Sequence, residues 1–370
     1  MKVLIAAAGT GGHINPGIAI ANKIKKENPT AEIIFVGTTR GLENDLVPRA
    51  GYKLKTIEVY GISREISLAN FRKMCKTLKS FGQAKKLIKE IKPDIVIGTG
   101  GYICGPVFLA ACKKKIPTVL HESNAFPGVT VKMLSKKVDT VLVGFEDAIA
   151  RLPKAKKIVV TGTPTKVKNL NLSDEKIKEL KKSQGFSTEK PLVLVFGGSQ
   201  GAKPINNALI EIIKTKINKN YQIIWASGPK QYDIIKEELE KSRININNIS
   251  NIKIVPYIYN MEEVMSMADL VVCRSGALTI TEISIIGKPA IFIPLPFAAE
   301  NHQEYNAQVL VKQNAAKILH DKELNAHSLN NTINSIIKDK NNLIQMSKNA
   351  RKIAVENVED NIYEEIKKLI

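Results

Sequence analysis

Met1-Lys2-Val3-Leu4-Ile5-Ala6-Ala7-Ala8-Gly9-Thr10-Gly11-Gly12-His13 opens the chain, and Leu192-Val193-Leu194-Val195-Phe196-Gly197-Gly198-Ser199-Gln200-Gly201-Ala202 repeats its pattern in the second half. Each stretch is an unbroken apolar run that ends in a glycine-rich turn and leads into a helical pattern. An apolar run without alternation is what a strand buried on both faces requires, and such strands belong to parallel sheets. Glycines directly after the strand let the backbone approach a ligand, and the following helix start offers N–H groups to an anion. Gly98-Thr99-Gly100-Gly101 repeats the arrangement a third time, after a strand ending at Gly98. Three such turns point to a diphosphate ligand at the C-terminal ends of strands.

Working outward, strand-like runs occur at Val3–Ala8, Glu32–Val36, Asp94–Gly98, Thr118–His121, Thr140–Val143 and Lys157–Thr161. A second series follows at Leu192–Phe196, Gln222–Ala226, Ile252–Val255, Leu270–Cys273, Ala290–Ile293 and Lys317–Leu319. Amphipathic patterns between them predict helices at Pro16–Glu27, Phe81–Ile91, Ile177–Ser183, Pro204–Lys216 and Gln231–Lys241, the first with Asn15 as N-cap and Pro16 as its first residue. Strand–helix alternation of this kind predicts an α/β protein with two doubly wound, Rossmann-like parallel-sheet domains and a cleft between them. Gly162–Ser173 lacks apolar periodicity and reads as a linker. The expected division is residues 1–163, residues 164–345, and terminal helices over 346–370 that can cross back to the first domain.

The 370 residues are 44% hydrophobic and 24% charged, which excludes wholesale disorder. The net charge of +20 invites nucleic acid, an anionic membrane or phosphorylated substrates as partners. The N-terminus reads as a strand and not as a signal peptide, and no apolar stretch approaches the ~20 residues that span a bilayer. Four scattered cysteines, without CxxC or histidine spacing, suggest reduced cytosolic thiols and no zinc site. A nicotinamide enzyme would need GxGxxG and an acidic residue ending the second strand, whereas this chain has GTGGH and Phe35-Val36-Gly37-Thr38-Thr39. The P-loop pattern is absent as well.

AAAGTGGHINPGIAIA, GTGGYICGP, HESNAFPG, FGGSQGA, CRSGALTITE and ENHQEYNA together resemble, in order and rough spacing, the MurG-type glycosyltransferases. The resemblance implies a GT-B fold and an inverting transfer of N-acetylglucosamine from UDP-GlcNAc to the lipid-linked MurNAc-pentapeptide of peptidoglycan synthesis. It implies no metal or redox cofactor. It puts Thr10, Gly11 and Gly12 beside the donor sugar and diphosphate, Asn124 on GlcNAc, Ser199 on the diphosphate and the Ile258 backbone on uracil. Arg274 and the following backbone form a diphosphate nest, Ala277, Leu278 and Thr279 open a helix toward the nucleotide, Glu282 takes the ribose hydroxyls and Gln303 the sugar hydroxyls. Gly100, Gly101 and Tyr102 are assigned to the acceptor diphosphate. Two departures stand out: Ser123 replaces the family's Gln in HEQNA, and Lys166 supplies a cation where the family commonly has an Arg, losing its bidentate fork.

His13 is the candidate base for the acceptor hydroxyl, because a helix N-terminus keeps an imidazole neutral. The alternative is a phosphate or capping contact. Glu122 is a second candidate, as the base itself or as the group that orients it. A lipid or natural-product GT-B transferase and a UDP-GlcNAc 2-epimerase are the rival enzymes. Residues 1–163 hold 27 Lys+Arg against 12 Asp+Glu, a net of +15, and the remainder 28 against 23, a net of +5. Within the first half, Ile62–Lys92 mixes nine basic and two acidic residues with apolar ones, which suits an anionic membrane surface on the cytoplasmic face. No aromatic-interleaved basic motif supports nucleic acid as a partner. Cell-wall or division enzymes are candidate protein partners.

Overall fold

The computed structural model describes the backbone of residues 1–59, 68–246 and 249–370, and the side chains of all of these except 68–78. The chain divides into two compact units, residues 1–166 with 355–370 and residues 167–354. Between Ala354 and Val355 it therefore returns to the first unit, later than the break drawn at 345/346.

In the first unit, strands β1 (Lys2–Ala7), β2 (Glu32–Gly37), β3 (Lys53–Thr56), β4 (Ile95–Gly100), β5 (Thr118–Glu122), β6 (Thr140–Val143) and β7 (Ile158–Val160) form one sheet in the order β3-β2-β1-β4-β5-β6-β7. All its pairings are parallel. The helices are α1 (Gly11–Glu27), α2 (Glu43–Arg49), α3 (Leu68–Ile91), α4 (Cys104–Lys113), α5 (Val129–Ser135) and the returning helix Val358–Lys367. Successive residues of a strand face opposite sides. Leu4, Ala6 and Ala8 enter a core with Leu87 and Ile88 of α3 and Val107 and Phe108 of α4. Val3, Ile5 and Ala7 enter another with Ile14 and Ile18 of α1 and Ile362 and Ile366 of the returning helix. This two-sided burial is why β1 reads as one apolar run.

The second unit holds α6 (Asp174–Ser183), β8 (Leu192–Phe196), α7 (Lys203–Thr215), β9 (Gln222–Ala226), α8 (Pro229–Lys241), β10 (Ile252–Val255), α9 (Met261–Met267), β11 (Leu270–Cys273), α10 (Ala277–Ile286), β12 (Ala290–Phe292), α11 (His302–Val311), β13 (Ala316–Ile318), α12 (Ala326–Ile337) and α13 (Lys340–Arg351). Its parallel sheet runs β10-β9-β8-β11-β12-β13. Trp225 is fully buried, and its indole donates to Asn206 Oδ1 (3.1 Å), whose amide in turn donates to Ser227 O (2.9 Å). A buried polar pair of this kind ties α7 to the C-terminal end of β9.

Several sequence expectations need correction. α1 begins at Gly11, and neither Asn15 nor Pro16 starts it. Thr10 is extended, and its carbonyl accepts from the N–H groups of His13 (3.0 Å) and Ile14 (3.1 Å), so the helix is already closed before Pro16. Pro16 lies inside the helix, where it supplies no N–H to the Gly12 carbonyl. β4 continues to Gly100, past Gly98, because Gly100 still pairs with Ala7 across a register shift. β3 went unrecognised: Lys53-Leu54-Lys55-Thr56 is a short, lysine-rich edge strand with almost no apolar content. α3 begins at Leu68, well before Phe81. α6 begins at Asp174, where the Ser173 hydroxyl accepts from Lys176 N–H. Of the basic segment Ile62–Lys92, residues 62–67 and the side chains of 68–78 lie outside the described residues.

Candidate functional site

Within the first unit the expected residues gather at the C-terminal edge of β1, β4 and β5. Gly11, Gly12 and His13 form the first turn of α1, and no side chain caps it. The His13 N–H is taken by the Thr10 carbonyl, so the N–H groups of Gly11 and Gly12 are the ones this turn can offer to an anion. The His13 main chain is held by the Thr99 hydroxyl, which donates to His13 O at 2.7 Å. Its imidazole lies directly on the α-carbon of Gly100, so a methyl group at that position would overlap the ring. Gly100 (φ +122°) is buried beneath this histidine, Gly101 is half-buried and Tyr102 is 62% exposed. Thr10 is exposed.

Glu122 ends β5 and is nearly buried. One carboxylate oxygen accepts from the Asn124 backbone and side-chain N–H groups (2.9 Å each), and the other from Gly128 N–H (2.9 Å). Both oxygens are thus committed to the loop that presents Asn124. These bonds give Glu122 a part in shaping the loop that carries Asn124. Ser123 is buried with its hydroxyl turned inward. Lys166 is exposed, at the last residue of this part of the unit.

One organising residue was missed. Glu43, at the start of α2, is fully buried and accepts from Gly9 N–H (2.9 Å), Thr38 N–H (2.8 Å) and the Thr38 hydroxyl (2.7 Å). Burial pushes this carboxyl up, but the hydrogen bonds from Gly9 and Thr38 outweigh it, and the net shift is downward. Gly41 leaves room for the carboxylate, since a Cβ there would overlap it. The only sequence signal was a pair of glycines, Gly37 and Gly41, shortly before an acidic residue.

In the second unit the residues again collect at the C-terminal edge. Ser199 is exposed in the turn after β8. α10 starts after Gly276 with no side-chain cap, so the N–H groups of Ala277, Leu278 and Thr279 form an open first turn. Glu282 is half-buried on α10, close enough to Cys273 that its charge adds to burial in pushing that thiol up. Ile258 is buried after β10, between the exposed Tyr257 and Tyr259, whose rings meet edge-on at 5.0 Å. Gln303 lies in the first turn of α11, and its Oε1 accepts from Leu295 N–H at 3.0 Å.

Arg274 follows β11 directly, as expected, and its side chain is bound within the unit. Its guanidinium donates to Ile293 O (2.9 Å), Pro294 O (3.1 Å) and both carboxylate oxygens of Asp321 (2.6 and 3.2 Å). A planar fork engaged in this way clamps Asp321 to the carbonyls that follow β12. Among the described residues, no group of three or more His, Cys, Asp or Glu is placed to hold a metal ion.

Two parallel-sheet units, each with glycine-rich strand–helix turns at the C-terminal edge, define the GT-B class of glycosyltransferases. Residues 3–143 match the glycosyltransferase family 28 N-terminal domain and residues 192–362 its C-terminal domain. The UDP-N-acetylglucosamine--N-acetylmuramyl-(pentapeptide) pyrophosphoryl-undecaprenol N-acetylglucosamine transferase of Acetivibrio thermocellus is 44% identical over 100% of this chain and 98% of its own. The protein of the same name from Ruminiclostridium cellulolyticum is 45% identical over 100% of both chains. The crystal structure of Acinetobacter baumannii MurG superposes with a TM-score of 0.81 at 29% identity, covering 99% of each chain. A Neisseria meningitidis UDP-GlcNAc 2-epimerase bound to UDP-GlcNAc shares the fold at 15% identity and a TM-score of 0.64. The chain belongs to glycosyltransferase family 28 and, within it, to the MurG enzymes.

Proposed function

We propose that this chain transfers GlcNAc from UDP-GlcNAc to undecaprenyl-pyrophosphoryl-MurNAc-pentapeptide (lipid I), forming the β-1,4-linked disaccharide of lipid II with inversion at the anomeric carbon. The acceptor hydroxyl oxygen bonds to that carbon, the bond from the carbon to the UDP phosphate oxygen breaks, and the hydroxyl proton passes to a base. His13 is that base. The observation that carries this assignment is its position: first turn of α1, main chain tied to Thr99, ring packed on Gly100. The positive end of the α1 dipole disfavours the imidazolium before reaction, which leaves the ring ready to accept a proton.

The departing UDP carries charge that must be met by donors already in place. The first-turn N–H groups of α10 and the Ser199 hydroxyl meet it on the second unit, with Lys166 as an additional cation. Glu282 accepts from the ribose hydroxyls, the Ile258 backbone reads uracil, and Gln303 and Asn124 contact the sugar. Thr10, Gly11 and Gly12 lie beside the sugar and diphosphate. Gly101 and Tyr102, with Gly100 beneath them, face the acceptor diphosphate. His13→Ala should lower kcat by orders of magnitude and leave UDP-GlcNAc affinity nearly unchanged; a variant that turns over normally removes His13 as the base.

Among the described residues, no helix is long and apolar enough to cross a membrane. The lipid-linked acceptor is reached by peripheral attachment to the anionic cytoplasmic leaflet. Supporting this, Tyr102, Leu109, Val129 and Met133 are exposed on or beside α4 and α5, which pack together and carry exposed Lys113, Lys114, Lys136 and Lys137. Leu109→Glu with Met133→Glu should reduce cosedimentation with phosphatidylglycerol vesicles; unchanged cosedimentation argues against this face.

A further inference from the structure

We propose that Asp321 and Arg274 are positioning residues that orient the Gln303 amide toward the donor sugar. This rests on Gln303 as a sugar contact. Arg274, directly after β11, has a side chain 10% exposed, and Asp321, at 18%, faces it in a two-point ion pair. The same guanidinium holds the carbonyls of Ile293 and Pro294, the residues directly after β12. The next residue, Leu295, donates its N–H to Gln303 Oε1. A backbone N–H can only donate, so the amide oxygen must face Leu295 and the NH2 group must face away. The orientation of the Gln303 amide is therefore set by where Leu295 stands, and Leu295 stands where Arg274 and Asp321 hold it.

The turn that carries Asp321 grips the segment at its other end too. His320 Nε2 lies 3.1 Å from Glu304 Oε2, next to Gln303 in sequence. Residues 293–304 are thus fastened at both ends to two adjacent residues, His320 and Asp321, at the start of one short turn. The outward NH2 is a donor pair suited to the hydroxyl oxygens of the GlcNAc ring, which UDP alone lacks. Loss of the brace should therefore discriminate between UDP-GlcNAc and UDP, which a general loosening of the unit does not.

The test is calorimetric binding of UDP and of UDP-GlcNAc to the parent, Asp321→Asn, Gln303→Ala and the double variant, with thermal unfolding of each. Asp321→Asn should weaken UDP-GlcNAc binding roughly three- to tenfold, the scale of one misdirected hydrogen bond, and change UDP binding less than about twofold. The double variant should bind UDP-GlcNAc no more weakly than Gln303→Ala, because both changes remove the same contact. Equal losses for both nucleotides, or additive losses in the double variant, overturn the proposal. Gln303→Ala that lowers UDP-GlcNAc affinity selectively while Asp321→Asn does not overturns the brace alone. Gln303→Ala that leaves both affinities unchanged overturns the sugar contact and the brace with it. If Asp321→Asn does not fold, Arg274→Lys replaces it: one ammonium cannot span both carbonyls and the carboxylate, and the same selective loss is expected.

Discussion

Replacing Glu43 with Ala should loosen the first glycine turn and destabilise the first unit together. The carboxylate accepts three hydrogen bonds in a fully buried position, two of them from backbone N–H groups of Gly9 and Thr38. Removing it leaves those two donors without a partner, at about 1–3 kcal/mol each, and loses the Thr38 hydroxyl bond as well. The desolvation cost of the carboxylate is recovered, so a net loss of about 3–5 kcal/mol is expected. At roughly 2–4 °C per kcal/mol for a domain of this size, the transition of that unit should fall by about 10 °C in scanning calorimetry. Glu43→Gln should recover part of this, because an amide satisfies one N–H but opposes another with its own NH2. The pH dependence has a definite sign. The folded carboxyl is held below its ordinary value, so its contribution is complete above the unfolded pKa, near 4.5, and is lost as pH falls through the lower folded value. Glu43→Ala should remove that acid limb. A transition shifted by less than about 2 °C, or an unchanged acid limb, refutes the account.

Two further outcomes follow from the geometry. Gly100→Ala should cut kcat far more than it weakens UDP-GlcNAc binding, since the methyl group overlaps the His13 ring and the backbone there has φ +122°; crystallography or steady-state kinetics showing an undisturbed His13 contradicts this. Lys288 donates to Ser266 O, and burial lowers its pKa from 10.5 to about 8. The folded state therefore gives up this proton before the unfolded state does, and stability from this group should rise between pH 8 and 10.5; Lys288→Met should flatten that rise in denaturant titrations.

The strands were legible because two-sided burial leaves an unmistakable apolar run, and strand–helix alternation pointed to parallel pairing. β3 was hidden because an edge strand carries lysines on purpose, to avoid further pairing. The start of α1 was misplaced because Asn15-Pro16 carries the strongest local start signal, whereas the real start is set by the Thr10 carbonyl. Glu43 and Asp321 were invisible for a different reason. Gly9 lies 34 residues from Glu43 and Arg274 lies 47 from Asp321, and only the folded sheet edges bring these pairs together. Arg274 was read for the backbone nest that it opens, and nothing in the sequence marked the carboxylate that its side chain meets.

The returning helix Val358–Lys367 bears on the order in which the protein is made. Ile362 and Ile366 complete the core beneath α1, and Lys23 at the far end of α1 pairs with Asp360. A ribosome delivers α1 first and these residues more than three hundred positions later. During all that time the apolar face of α1 that they cover has no native neighbour there, while residues 167–354 form a continuous unit that can fold as they emerge. The face of α1 is thus made early and covered late, and the core beneath it closes only when the returning helix arrives.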